Sequence, residues 1–280
     1  GVDLSNRDLT GAILKGVDLS GKNLMHTVLT YADIEDADLS NANLRVAELM
    51  AIDFTKVKSI TGADLTAASL AHSTLSGVNL DGVIVNWTNF YQADISDQDF
   101  RNVANVKIFN SQFNEANLSN SNFEGIDFSP SGISLKTVDT ITAEEFREWI
   151  KIPGNNNGSK IIEELFCKGN LTLCANTHYV SVKIIEDKVV VETMSYNKFF
   201  TANLQNTNFK NTNLKCAIMS NSDLTNANLS GADLTGTFIR NSNLTNTNFD
   251  GSILNKTIFD EADMPTGKAE TKQYFLDCVN

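Results

Sequence analysis

A large apolar residue recurs at every fifth position over most of this chain, and few backbones can accommodate that recurrence. Read from Val2, the segments VDLSN, RDLTG, AILKG and VDLSG begin a frame that centres on Leu4, Leu9 and Leu14 and continues to Phe54. One extra residue shifts the frame, which resumes at Ile60 and Leu65 and runs to Phe100. A third frame holds Val103, Ile108, Phe113, Leu118, Phe123 and Phe128, and a last one runs from Phe199 through Leu204 and Phe209 to Met264. Together these frames give 40 centres. A period of five matches neither the 3.6 residues of an α-helix turn nor the two-residue alternation of a flat strand.

A short extended side followed by a corner satisfies the period. The central Leu or Phe and the small residue two before it then point inward, and four sides close a square coil. Ala37, Ala42, Ala63, Ala116, Ala202 and Ala227 occupy the small position, where bulk would collide with the centres. The residue before the centre is Asp or Asn in most pentads, as at Asp18, Asn43, Asp64, Asn117 and Asn228, and belongs outside, bonding the corner backbone. Twenty residues per coil make ten coils, roughly 48 Å of stack at the ~4.8 Å spacing of paired strands. Positions twenty apart lie above one another, so Phe199, Met219, Ile239 and Phe259 form one internal column. Departures from the pattern at 28–29, 58–60 and 83–85 predict local bulges.

This A(D/N)LXX pattern resembles the pentapeptide-repeat family. The resemblance implies an all-β solenoid, a right-handed quadrilateral β-helix of about ten coils. It implies little about function, because family members range from gyrase inhibitors to domains of bacterial type III secreted effectors.

Residues 129–198 break the pattern. Pro130 disfavours continuation of the ladder. Thr142-Ala-Glu-Glu145 has capping-box spacing ahead of Phe146, Trp149 and Ile150, Ser159 caps a second apolar segment at 160–168, and Tyr179–Ile185 with 189–194 reads as a β-hairpin. The expected organisation is therefore 1–128 first part of the β-helix, 129–198 an inserted α+β mini-domain of two helices and a hairpin, 199–264 the second part, and 265–280 a C-terminal capping helix. One continuous stack with a lateral mini-domain is favoured over two β-helices hinged at the insertion. The mini-domain is small for an independent core and is expected to pack on the β-helix. A start in mid-repeat at Gly1 reads as a domain of a longer protein.

The net charge of −12 disfavours direct contact with nucleic-acid phosphates but admits imitation of nucleic acid. Most of that charge lies before residue 129, where Asp is also turn chemistry. No stretch approaches the roughly 18 apolar residues of a membrane helix. Cys167, Cys174, Cys216 and Cys278 lack CxxC spacing, so free thiols in a reducing compartment are the expectation, and zinc is not expected.

The residues offer no catalytic set. Cys167 and His178 are better read as a buried thiol and a surface imidazole than as a nucleophile with its base, and His26 and His72 occupy outward positions. No catalytic, cofactor-binding or metal-binding residue is assigned, and no small-molecule ligand is expected. Trp87, Tyr91 and Tyr179 are the candidate partner contacts, with packing of Trp87 and Tyr91 against the insertion as the competing explanation. The functional expectation is a non-catalytic protein–protein interaction scaffold. By resemblance it would be a domain of a bacterial effector made in the cytoplasm and exported by a non-Sec route. The alternative is an acidic DNA mimic acting on DNA gyrase or topoisomerase, as the quinolone-resistance members of the family do.

Overall fold

The computed structural model describes residues 3–104, 108, 111–129, 131–138, 142, 144, 147–148, 151, 179–185, 188–195, 197–259 and 262. The chain divides into two compact units, Gly1–Ser129 with Asn197–Asn280, and Pro130–Tyr196.

In the first unit each pentad contributes one rung to a parallel ladder. The residue before a centre bridges its counterpart in the next coil, as Asp18 does with Asp38 and Asn208 with Asn228. The central amide donates upward, for example Leu24 N–H to Asn43 O at 2.8 Å. One column of rungs, here called side 1, is unbroken from Asp8 through Val28, Glu48, Ser69, Asn89, Gln112, Lys198, Ile218 and Phe238 to Ile258. Sides 2, 3 and 4 follow in chain order; Asn203–Asp223–Asn243, Asn208–Asn228–Asn248 and Asn213–Asp233–Ile253 are their upper rungs.

Corners are turned by the second residue after each centre, which adopts a positive φ. Asn and Gly fill many of these positions, but Tyr31, Val46, His72 and Trp87 adopt it too, with φ of 58°, 58°, 60° and 61°. The left-handed region disfavours such side chains, so the ladder on either side holds them there. The pre-centre Asp or Asn is not the turn residue. Its side chain caps the corner by accepting the N–H two residues on, as Asp8 accepts from Thr10 at 3.0 Å.

Centres and small residues fill the interior, and Leu24, Leu44, Leu65, Phe113, Phe199 and Leu214 are fully buried. Phe90, Phe113 and Phe199 stack in line under side 1, with centroids 5.1 and 4.9 Å apart. At most of the small positions held by Ser or Thr the hydroxyl is buried and donates to a central carbonyl of the coil below, as Thr207 does to Leu118 O at 2.9 Å. A polar atom in this core is tolerated because it is hydrogen-bonded.

The frame slips are local loops that leave the column intact. The first falls at a short 3-10 turn, Phe54–Lys56, and the second begins at another, Phe100–Asn102. Side 1 therefore steps by 20 residues in most coils, by 21 from Glu48 to Ser69 and by 23 from Asn89 to Gln112. Val103 is not a centre. Its N–H donates to Phe100 O at 3.4 Å, the bond that small residues such as Ala116 make to Phe113 O, so the number of centres falls by one. The bulge expected at 28–29 is also absent, since Val28 bridges both Asp8 and Glu48 and Leu29 is buried.

The two blocks of repeats join directly. Gln112, Asn117, Asn122 and Asp127 bridge Lys198, Asn203, Asn208 and Asn213, so the coil after the insertion is laid on the coil before it.

In the second unit Tyr179–Ile185 and Lys188–Ser195 pair antiparallel, and a third strand, Ser131–Val138, pairs with the far edge of Lys188–Ser195. In chain order these are β1 (Ser131–Val138), β2 (Tyr179–Ile185) and β3 (Lys188–Ser195), in sheet order β1-β3-β2. The expectation of two helices and a hairpin missed β1, whose partner lies more than fifty residues away in sequence. Glu144, Arg147 and Glu148 are helical. The proposed second helix at 160–168, the C-terminal helix, and Cys167 with His178 lie outside the described residues.

Candidate interaction surface

No catalytic or metal-binding constellation occurs among the described residues, and no group of His, Cys, Asp or Glu there could hold a metal ion. No helix among them is long and apolar enough to cross a membrane. The surface is informative instead.

Among the described residues eight large hydrophobic side chains are exposed: Ile13, Val17, Tyr31, Val46, Trp87, Tyr91, Phe200 and Ile253. Coil phase places Tyr31, Val46, Trp87, Tyr91 and Phe200 on side 1 or the two corners that bound it. Trp87 and Val46 stand on the corner where the chain enters the side, and Tyr31 and His72 on the corner where it leaves. Trp87 is 50% exposed, which excludes its burial as a core residue. Tyr91 packs its ring edge-on against His72, centroids 5.6 Å apart at 89°. Partial burial and the nearby Glu115 carboxylate push the Tyr91 phenol up, so it stays neutral and hydrogen-bonding well into the alkaline range. Gln92 donates to the same carboxylate at 2.6 Å.

Trp87 and Tyr91 thus share one side of one coil but stand at its opposite edges, with Asn89 between them. Tyr179 opens β2 in the other unit, with its Cα opposite Met194. Val46 and Phe200 were missed as surface candidates, whereas Tyr31 was expected at the surface and is exposed. Their grouping with Trp87 depends on the lengths of the frame slips, which a linear reading does not supply.

Acidic residues, by contrast, occupy every side. Asp8 and Glu48 stand on side 1, Asp33 and Asp53 on side 2, Asp18, Asp38 and Asp99 on side 3, and Asp64 and Asp127 on side 4. Many accept from a hydroxyl two residues on, and Lys58 pairs with Asp38 at 3.0 Å and Arg45 with Asp64 at 3.2 Å. The one expectation for cysteine that can be checked is overturned: Cys216 is buried and disulfide-bonded, so not all four thiols are free.

The profile described as Pentapeptide repeats matches residues 8–45, 59–97 and 202–241 and continues over 239–265, just over half of the chain. The chain belongs to the pentapeptide-repeat family. Members of this family form right-handed β-helices, which accounts for the four-sided ladder. No curated protein matches the sequence. Solved structures similar to this pentapeptide-repeat chain include HetL, involved in heterocyst differentiation regulation, from the cyanobacterium Nostoc sp. strain PCC 7120. It is 19% identical over 95% of this chain and 91% of that one, at a TM-score of 0.33. A trypsin-treated variant of QnrB1, a plasmid-mediated fluoroquinolone resistance protein, is 14% identical over 89% of this chain and 91% of that one, at 0.30. Rfr23 from the cyanobacterium Cyanothece 51142 is 18% identical over 79% and 89%, at 0.19.

Proposed function

We propose that this pentapeptide-repeat chain is a non-catalytic scaffold that binds a protein partner through the lower half of side 1, from Tyr31 to Tyr91. The supporting observation is the concentration of exposed aromatic and aliphatic side chains on one of four sides. Aromatics held on a stiff backbone lose little entropy when buried and are the usual anchors of protein interfaces. Tyr179 is retained as a third contact, carried by the other unit. The setting carried from the family resemblance is a domain of a secreted effector; a disulfide is unusual in any reducing cytosol, the host's included, and does not itself select that setting. The DNA-mimic reading needs a single acidic face, and the distribution of Asp and Glu over four sides does not favour it.

The test is capture of partners by the whole chain against a Trp87→Ala/Tyr91→Ala variant, with Asn246→Ala, on another side, as the control. Loss of the anchors is expected to weaken a captured complex roughly thirtyfold, the effect of removing about 2 kcal/mol. Equal capture by all three proteins refutes the assignment of side 1. Binding to gyrase that survives loss of both aromatics would revive the mimic.

A further inference from the structure

Among the described residues of side 3 the ladder has a gap at Asn79. Asp18 bridges Asp38 and Asp38 bridges Ser59, and the column resumes where Asp99 bridges Asn122, but Asn79 bridges neither neighbour. In a regular coil the centre donates to the rung above, as Leu39 N–H does to Ser59 O at 2.8 Å. The rung donates to the small residue below, as Asp38 N–H does to Val17 O at 3.1 Å. Among the described residues Ile60 N–H has no acceptor, and neither the backbone N–H nor the backbone carbonyl of Asn79 is hydrogen-bonded. Ile60 is fully buried, and buried main-chain donors are nearly always paired. The cause is the extra residue of the first frame slip, which enters at the Phe54–Lys56 turn just before Ile60. The two coils stay pinned on either side of the gap, by Phe54 N–H to Thr74 O and Gly62 N–H to Asp81 O, both at 2.8 Å. A cavity of about 310 Å³ lies at the gap, with residues of both coils in its wall.

We propose that this cavity binds a neutral polyhydroxylated molecule of monosaccharide size. Its wall offers donors and acceptors together. Ser76 Oγ accepts from the Ser96 hydroxyl at 3.0 Å, which leaves the Ser76 proton to donate elsewhere. Ser59 and Thr61 share one hydrogen bond between their hydroxyls at 3.0 Å and keep the second proton. The amides of Ile60 and Asn79 add donors, and the Asn79 carbonyl adds an acceptor. A sugar hydroxyl both donates and accepts, whereas a carboxylate or phosphate dianion only accepts and an ammonium only donates. Charge points the same way, because Lys58, the charged residue of the wall, is already paired with Asp38 at 3.0 Å. Val57 and Val78, both partly buried against the core, supply apolar surface for the C–H groups of a ring. The volume lies at the lower end of the range for small-molecule sites, which suits one ring and not a chain of them. This site is on side 3 and is independent of the aromatic surface on side 1.

Amide NMR of the whole chain decides the matter, with glucose, N-acetylglucosamine and myo-inositol each titrated to about 50 mM, enough to saturate a site of roughly millimolar affinity. At least one of the three is expected to shift the Ile60 and Asn79 amides along a saturating curve while the Trp87 and Tyr91 amides stay in place. In Ser59→Val/Thr61→Val, which removes both wall hydroxyls and keeps β-branched side chains, the same probe is expected to bind roughly tenfold more weakly, as two hydrogen bonds are lost. Shifts that stay linear or miss Ile60 and Asn79 with all three probes overturn the proposal, and that titration needs no variant to fold. Saturation of the same amides by inorganic phosphate or by tetramethylammonium, with none by the three polyols, overturns it as well. So does unweakened binding by a double variant whose remaining amide spectrum is native.

Discussion

The side-chain amide of Asn197 donates to the carbonyl of Ile108 at 2.7 Å, joining residues 89 positions apart in the chain. The same Nδ2 reaches Phe128 O at 2.9 Å, and its Oδ1 accepts from Ser111 N–H at 2.9 Å. Asn197 occupies an inward position where Thr207 and Thr212 each donate once to the coil below and serines such as Ser73 and Ser222 make two bonds to it. As the first residue after the insertion, it stitches the returning strand to two carbonyls and an amide at once.

Asn197→Ala is therefore expected to cost more than loss of one buried hydroxyl. Two carbonyls and one N–H lose their partner in a dry interior, about 2–4 kcal/mol in total. Thr212→Val, which removes one bond to Phe123 O and keeps the shape, should cost about 1 kcal/mol. Urea unfolding of both variants checks the difference, and equal losses would show that Asn197 is no stitch.

Lys198, the next residue, is 9% exposed, and burial alone lowers its amine to about 8. Among the described residues no acid pairs with it. The folded state then holds fewer protons than the unfolded chain between about pH 8 and pH 10.5, so stability should rise with pH across that window. Lys198→Met, which fills the same space without the charge, is expected to raise stability at pH 7 by about 1 kcal/mol and to flatten the alkaline rise. Thermal unfolding at pH 7 and pH 10 measures both effects.

Acid should act through the corner caps. Asp38 accepts from the Ser40 hydroxyl and N–H and from Lys58, which together lower its carboxyl to about 2. Asp8 and Asp18 are lowered by the same Thr10 and Ser20 contacts. A carboxyl depressed on folding contributes fully above its ordinary value near 3.8 and stops contributing as the pH falls through about 2. The melting temperature should therefore hold from pH 7 to about pH 5 and fall steeply from about pH 4 to pH 2. Asp38→Asn should show a shallower fall.

One corner invites stabilisation. Asn206, Asn226 and Asn246 form a ladder in which each amide donates to the one below at 3.1 Å. On the next corner Asn211 is followed by Gly231 at φ +68°, where an added Cβ would stand 2.4 Å from Asn211 Oδ1. Only the mobile tip of Asn211 must move, and asparagine tolerates this backbone. Gly231→Asn is expected to extend a ladder and stabilise the chain by about 0.5–1 kcal/mol, partly by restricting the unfolded state. Gly231→Val, branched at a left-handed position, should destabilise it; calorimetry distinguishes the two.

The coil was legible in the sequence because each pentad carries its own evidence: centre, small residue and cap recur locally. Sequence spacing alone was insufficient wherever the determining contact was distant. Val103 fits the five-residue count, yet the extra residues of its loop place Ile108 under Phe128 and leave Val103 in the small position. Strand β1 begins beside Pro130 and Gly132 and finds its partner only in β3. Trp87 and Tyr91 were recognisable because they stand off-centre in their pentads. Their alignment with Tyr31 and Val46 appears only after the coil is closed. Nothing in four scattered cysteines reveals that Cys216 is oxidised.

The unbroken column of side 1, stepping by 20, 21, 23 and 86 residues, has a consequence for how such chains change. What must be kept is phase, not length. A loop of any size can be let out at a corner, provided the chain re-enters at the same corner. Adding one well-formed pentad, by contrast, advances everything downstream by a quarter turn. Phe238 and Ile258 would then face a different direction from Tyr31, Trp87 and Tyr91, although every repeat remained individually sound. In this molecule the number of repeats sets direction as well as length.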